Sequence, residues 1–184
     1  LLFNAADLVI VGQFCGSVSV AAVGATSNLT SLLVNFFVGL SVGAGVAVAH
    51  GIGGHQDEEV RRTVHTTIPL ALVSGIVLTV VGMTWSGRFL EMMDTPQSVL
   101  PLSTVYMRIC FAGVTFTMLY NFCAAILRAA GDTKSPLIFL VLAGILNVIM
   151  NLVFVRIFGM NVAGVALATV LSQGAMALFI LVYA

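Results

Sequence analysis

Charge is what this chain has least of. Seven Lys/Arg and seven Asp/Glu make up 8% of its 184 residues, where a soluble domain carries roughly a quarter. The two signs cancel to a net charge of zero, so no basic surface argues for a nucleic-acid partner and no acidic tail for a cationic one. Cysteine is equally sparse. Cys15, Cys110 and Cys123 are odd in number and have no CxxC-type spacing, so they read as small core residues rather than as a disulfide framework or a metal site. His50, His55 and His65 gather around the charged stretch Asp57–Arg62, but without a carboxylate pattern that would make them metal ligands. No HExxH, GxSxG, P-loop or strand–GxGxxG–helix signature is present, so nothing argues for an enzyme and no cofactor is expected.

What the chain has in abundance is apolar sequence: 60% hydrophobic residues and a mean hydropathy of +1.13. These values define an all-α integral membrane protein whose first partner is the lipid bilayer. The apolar runs fall at about 1–14, 27–49, 64–85, 103–127, 136–158 and 162–184. The last five are near the ~20 residues that a ~30 Å hydrocarbon core requires; the first is too short and reads as a truncated helix. Because the chain opens and stops in apolar sequence, it is expected to be a piece of a longer protein.

The breaks between spans carry conventional signals. Gly51-Ile52-Gly53-Gly54 closes the second span, and Asp94-Thr95-Pro96 reads as an N-cap followed by a first-turn proline. Gly131 ends the fourth span, with a left-handed C′ conformation and a tight turn that should set the fourth and fifth helices antiparallel and side by side. Residues 86–102 suggest a segment lying at the membrane surface. Gly39, Gly43 and Ala47 form a small-residue ridge suited to close helix packing, as Gly82 does more loosely. Arg61, Arg62, Arg128 and Lys134 on one side, against Arg88, Arg108 and Arg156 on the other, give a slight positive-inside bias that makes the first side cytoplasmic.

Polar residues inside the spans are few, and their depths agree. Counted from the outer end of each span at 1.5 Å per residue, Asp7, Asn35, Asn151 and Thr169 all lie roughly 10–12 Å below the outer surface. Tyr106 hangs toward the same level. Asn147 and Asn151 are four residues apart and point from one helix face. A buried amide without partners costs ~1–3 kcal/mol, and a carboxylate within a span costs ~2.5–3.5 kcal/mol on insertion scales. Asp7, with Asn4 on its own face, is therefore the sharpest candidate for an ion or proton site. The competing readings are helix–helix hydrogen bonding for the asparagines and bonding of Thr169 to its own i−4 carbonyl. On the fourth span, Tyr106, Cys110, Gly113, Thr117 and Tyr120 recur at helical spacing as a mixed face suited to lining a cavity or to ordinary packing.

Six segments then carry a family resemblance. FNAADLVIVGQFCG (3–16), AAVGATS (21–27), GLSVGAGV (39–46), MDTP (93–96), LRAAGDTKSP (127–136) and VAGVALATVLSQ (162–173) resemble, in order, the first half of a multidrug and toxic compound extrusion (MATE) transporter. The resemblance implies a six-helix amino-terminal lobe, first helix shortened, of a two-lobe antiporter in the cell membrane, a bacterial inner membrane. A carboxy-terminal six-helix lobe is the missing partner. It also implies a cation site at Asp7, Asn147, Asn151 and Thr169, with Tyr106 as a looser member. Asn4, Asn35, Thr117, Tyr120 and Gln173 are then candidate cavity-lining residues. The coupling ion is H⁺ or Na⁺ and the cargo an organic, often cationic, compound. Some relatives carry a second acid where this chain has Asn151, so a single carboxylate is available here. Two alternatives are a lipid-linked oligosaccharide or polysaccharide flippase of the same superfamily and a non-transporting membrane packing module.

Overall fold

The computed structural model describes residues 2–183 and does not extend to the side chains of residues 2–4, 33 and 37. The described residues form six helices: α1 (Leu2–Phe14), α2 (Ser17–Gly53), α3 (Asp57–Met92), α4 (Leu100–Ala129), α5 (Lys134–Leu152) and α6 (Val162–Tyr183). One π-helical turn, Val153–Ile157, prolongs α5. No strand occurs among the described residues, as expected where every backbone group must be satisfied without water. Five helices are long and apolar enough to cross a membrane. The 13-residue α1 spans only about 20 Å.

Several boundaries differ from the expectation. α2 begins at Ser17, not near residue 27, directly after Gly16 at φ 83°. Thr26, Ser27 and Thr30 do not interrupt it, because each hydroxyl bonds a carbonyl one turn back. The segment 86–102 is not a separate surface element: α3 runs on to Met92, and α4 takes over at Leu100 with a proline in its first turn. That proline is Pro101 and not Pro96, which lies in the turn between the helices. Asp57, Glu58 and Glu59 occupy the first turn of α3, where negative charge complements the exposed N–H groups.

α4 is the axis of the bundle. It buries thirteen residues, whereas α5 buries four, so α4 is packed over most of its circumference, leaving one stripe with Val105, Arg108 and Phe116 exposed, and α5 presents most of its surface outward. α3 lies against α4 at very close range. A Cβ added to Gly82 would stand 2.1 Å from the Phe111 ring, and one added to Gly75 would stand 2.7 Å from the Thr115 backbone. The ridge expected at Gly39, Gly43 and Ala47 does not pack within this lobe. All three are exposed, and α2 instead meets α4 one face over, with Gly45 against Ala125.

The α4–α5 corner is a Schellman motif. Gly131 has φ 93°, its N–H donates to Arg128, and the Asp132 N–H donates to Leu127. The turn does not lay α4 and α5 side by side, however. α5 packs against α6 and α1 and scarcely touches α4, because α6 fills the place beside α4. That displacement sets α5 next to α1 and so builds the site.

Candidate functional site

α5 has one inward stripe. Ala143, Asn147 and Asn151 are buried at four-residue intervals, while Val141, Leu142, Ile145, Val148, Ile149 and Leu152 are exposed. An apolar helix with two amides on its only inward face must give those amides partners, and it does so with Asp7. The Asp7 carboxylate is fully buried, as are both asparagines. Asn151 donates from Nδ2 to Asp7 Oδ1 at 2.7 Å and to Asn147 Oδ1 at 3.2 Å. Thr169 of α6 donates to Asp7 Oδ2 at 2.8 Å, and Tyr106 of α4 stands 3.4 Å from the same oxygen. Asn147 donates to Thr169 Oγ1 at 3.1 Å. Four helices thus converge on one carboxylate.

The donor count reveals how the cluster is poised. Every group that meets Asp7 is a donor, which suits an ionised carboxylate, an acceptor only. Thr169 has one hydroxyl hydrogen and two acceptors within reach, Asp7 Oδ2 and the Val165 carbonyl, so its bond to the acid is exchangeable. Asn151 spends both amide hydrogens, leaving its Oδ1 buried without a partner. An orphaned acceptor of this kind costs ~1–3 kcal/mol. No opposite charge balances Asp7 nearby, since all seven Lys and Arg side chains are exposed.

The cluster unites Asp7, Asn147, Asn151, Thr169 and Tyr106. Asn35 does not join them. Counted from Ser17, where α2 begins, it lies 18 residues along, about 27 Å from the helix start, and it lines a different cavity. That cavity, of about 370 Å³, includes Asn35, Thr117, Tyr120, Asn121 and Gln173. A smaller one of about 40 Å³ is bounded by Tyr106, Cys110, Thr117, Thr169 and Gln173. The side chain of Asn4 lies outside the described residues. An open groove of about 670 Å³ between α1 and α5 has no polar side chain in its walls, so this groove is not where the chemistry lies.

Three features escape sequence reasoning. Thr117 donates to Gln173 at 2.9 Å across α4 and α6, Ser19 donates to Asn161 at 2.9 Å, and the π turn follows Asn151 at a distance of two residues. The first two depend on the rotation of separate helices. The third has no residue signature, although such turns recur at functional sites.

Comparison with known proteins places this geometry. A family model described as MatE matches residues 1–153, and the chain belongs to that family. A Bacillus subtilis protein named Probable multidrug resistance protein YpnP is 30% identical over 98% of this chain and 41% of its own. Multidrug export protein MepA of Staphylococcus aureus is 22% identical over 100% of this chain and 41% of its own. Among solved structures, one titled "Crystal structure of MATE in the bent conformation" matches with a TM-score of 0.95 at 28% identity, covering 99% of this chain and 40% of that one. Another, "Inward-facing conformation of a multidrug resistance MATE family transporter of the MOP superfamily", matches with a TM-score of 0.94 at 28% identity, over 99% of this chain and 41% of that one. The chain therefore spans about two fifths of the length of the proteins it matches. It is an all-α, multi-pass plasma-membrane protein of a transporter family, which is not an enzyme class.

Proposed function

We propose that this chain is the amino-terminal lobe of a cation-driven exporter of organic, often cationic, compounds, and that Asp7 binds the coupling ion, H⁺ or Na⁺. The observation that carries the reading is a fully buried carboxylate that accepts hydrogen bonds from three side chains, Asn151, Thr169 and Tyr106, with no basic residue to balance it. The names of the relatives, multidrug resistance and multidrug export, support organic compounds as cargo. A flippase for pyrophosphate-linked sugars would want positive charge at mid-membrane depth, where no Arg or Lys of this chain is expected to lie.

The residues suit the ion. Asp7, the Asn147 and Asn151 amides and the Thr169 and Tyr106 hydroxyls supply hard oxygen atoms, and the orphaned Asn151 Oδ1 is an acceptor in want of a cation or a proton donor. If the Asn151 amide turned by 180°, Oδ1 would face Asp7 and Nδ2 would take the orphan's place. That rotamer matches a protonated acid or a bound cation, whereas the donor-facing one matches the bare carboxylate. Binding removes an uncompensated buried charge and changes which groups hold α1 to α4, α5 and α6. The two hydrogen-bonding patterns favour different packings of α1, as alternating access requires.

The test is efflux from vesicles containing the full-length transporter under an imposed H⁺ or Na⁺ gradient. Asp7→Asn is expected to insert and fold yet lose gradient-driven export. Wild-type rates from that variant would refute the assignment.

A further inference from the structure

Two cavities lead away from the cluster on the far side of Thr169. The smaller, of about 40 Å³, touches Tyr106 and Thr169, the groups bound to Asp7 Oδ2. The larger, of about 370 Å³, shares Thr30, Val34, Thr117 and Gln173 with it and continues to Tyr120 and Asn121. The direction follows from α6: Thr169 and Gln173 lie in sequence along the helix toward Tyr183, whose hydroxyl donates to Asp132 at the α4–α5 corner. The path therefore runs from the ion site toward the face that carries Gly131. We propose that it is a proton passage, gated where the two cavities meet by the Thr117–Gln173 hydrogen bond. The proposal rests on the coupling role of Asp7 and specifies the ion as H⁺.

Size and chemistry support a proton. A volume of about 40 Å³ is room for a short run of waters, each needing roughly 10–15 Å³ of such space. No charged side chain lines either cavity, so a metal ion on this path would meet neutral oxygens alone, without the carboxylate that Asp7 supplies at the site. The polar groups near the neck are hydroxyls and amides, and a hydroxyl or a water can accept one hydrogen while releasing another. In the step, the O–H bond at Asp7 Oδ2 breaks as the hydroxyl oxygen of Tyr106 or Thr169, which stands between the acid and the small cavity, takes the proton and releases its own hydrogen to a water there. That water passes a proton onward through the neck to water in the larger cavity. Asp7 is left as the carboxylate that Asn151, Thr169 and Tyr106 already satisfy. While Thr117 donates to Gln173 Oε1 at 2.9 Å, its only hydroxyl hydrogen is committed and the relay is interrupted. Separation of α4 and α6 at this point opens it.

The test uses the full-length transporter in vesicles and two processes. Proton-gradient-driven efflux requires net proton passage, whereas exchange of labelled for unlabelled substrate does not. Thr117→Val, which removes the hydroxyl at the neck, should slow driven efflux by about tenfold or more, equivalent to ~1.4 kcal/mol in the barrier, while exchange keeps its wild-type rate. Gln173→Leu, which frees the Thr117 hydrogen, should instead let protons leak through without substrate. Thr117→Ser, which restores a hydroxyl, should recover driven efflux. A wild-type driven rate from Thr117→Val would overturn the passage, as would a Gln173→Leu protein that stays proton-tight, or equal loss of both processes in Thr117→Val, which would make the pair a structural or substrate contact. Efflux driven by Na⁺ and not by H⁺ would overturn it while leaving Asp7 as the coupling residue. Wild-type driven rates from Asp7→Asn would overturn the coupling role itself.

Discussion

Asn151 meets two demands of the buried cluster: it donates twice and leaves one oxygen unspent. Replacing it with leucine keeps the branching and the number of side-chain heavy atoms but removes a bond to a charged group, worth ~1.5–3 kcal/mol. Asn151→Leu should therefore lower the thermal midpoint of the full transporter and weaken coupling together. Asn151→Asp should instead preserve the packing and add a second charge beside Asp7, so that more than one cation is taken up per substrate; proton or Na⁺ uptake per substrate exported measures this. Much of the cluster was legible at this scale. Counting 1.5 Å per residue from the span ends collected Asp7, Asn151 and Thr169, and the four-residue spacing added Asn147. The same count misplaced Asn35, because it depended on where α2 starts. Three hydroxyls satisfied within their own helix let α2 begin ten residues earlier than hydropathy suggests. The Thr117–Gln173 bond was invisible, since no spacing within one helix fixes the rotation of its neighbour.

At the scale of elements, glycine marks where helices approach, but sequence does not say which glycines. Gly82→Ala would push a methyl into the Phe111 ring, and overpacking of this kind costs ~1–3 kcal/mol. Gly39→Ala meets nothing within 4 Å and should be neutral or slightly stabilising through helix propensity. Thermal unfolding of the two variants should separate them clearly. GxxxA-type spacing pointed to the wrong one, because it records that a face is small and not what lies against it.

The α4–α5 corner has its own pH dependence. Asp132 accepts from the Lys134 and Ser135 N–H groups at 3.1 and 3.0 Å, and its bonds to the Ser135 hydroxyl and N–H hold its carboxyl below the usual carboxylate range. A depressed value means that the carboxylate's contribution is complete above the unfolded-state value and fades as pH falls through the folded one. Asp132→Asn should therefore speed amide exchange at Lys134 and Ser135 near neutral pH, with the difference from wild type vanishing in strong acid. Gly131 announced this turn in the sequence. The side-by-side helices did not follow from it, because α6, arriving later in the chain, takes the position beside α4.

The whole molecule is a lobe built around α4, with a polar cluster held off-centre between α1, α4, α5 and α6. Outward faces of α2 and α5 are apolar and exposed, as befits helices that meet lipid. The central claim is that cation and cargo are linked through one carboxylate. Linkage is reciprocal: an ion that drives export must change the affinity for substrate, and by the same factor in either direction. The most direct measurement is the substrate Kd of the full-length transporter by calorimetry, across a range of pH and then of Na⁺ concentration, for wild type and Asp7→Asn. The account predicts that Kd for the wild type changes with one of the two ions and that Kd for Asp7→Asn does not change with either. An undiminished ion dependence in Asp7→Asn would contradict it.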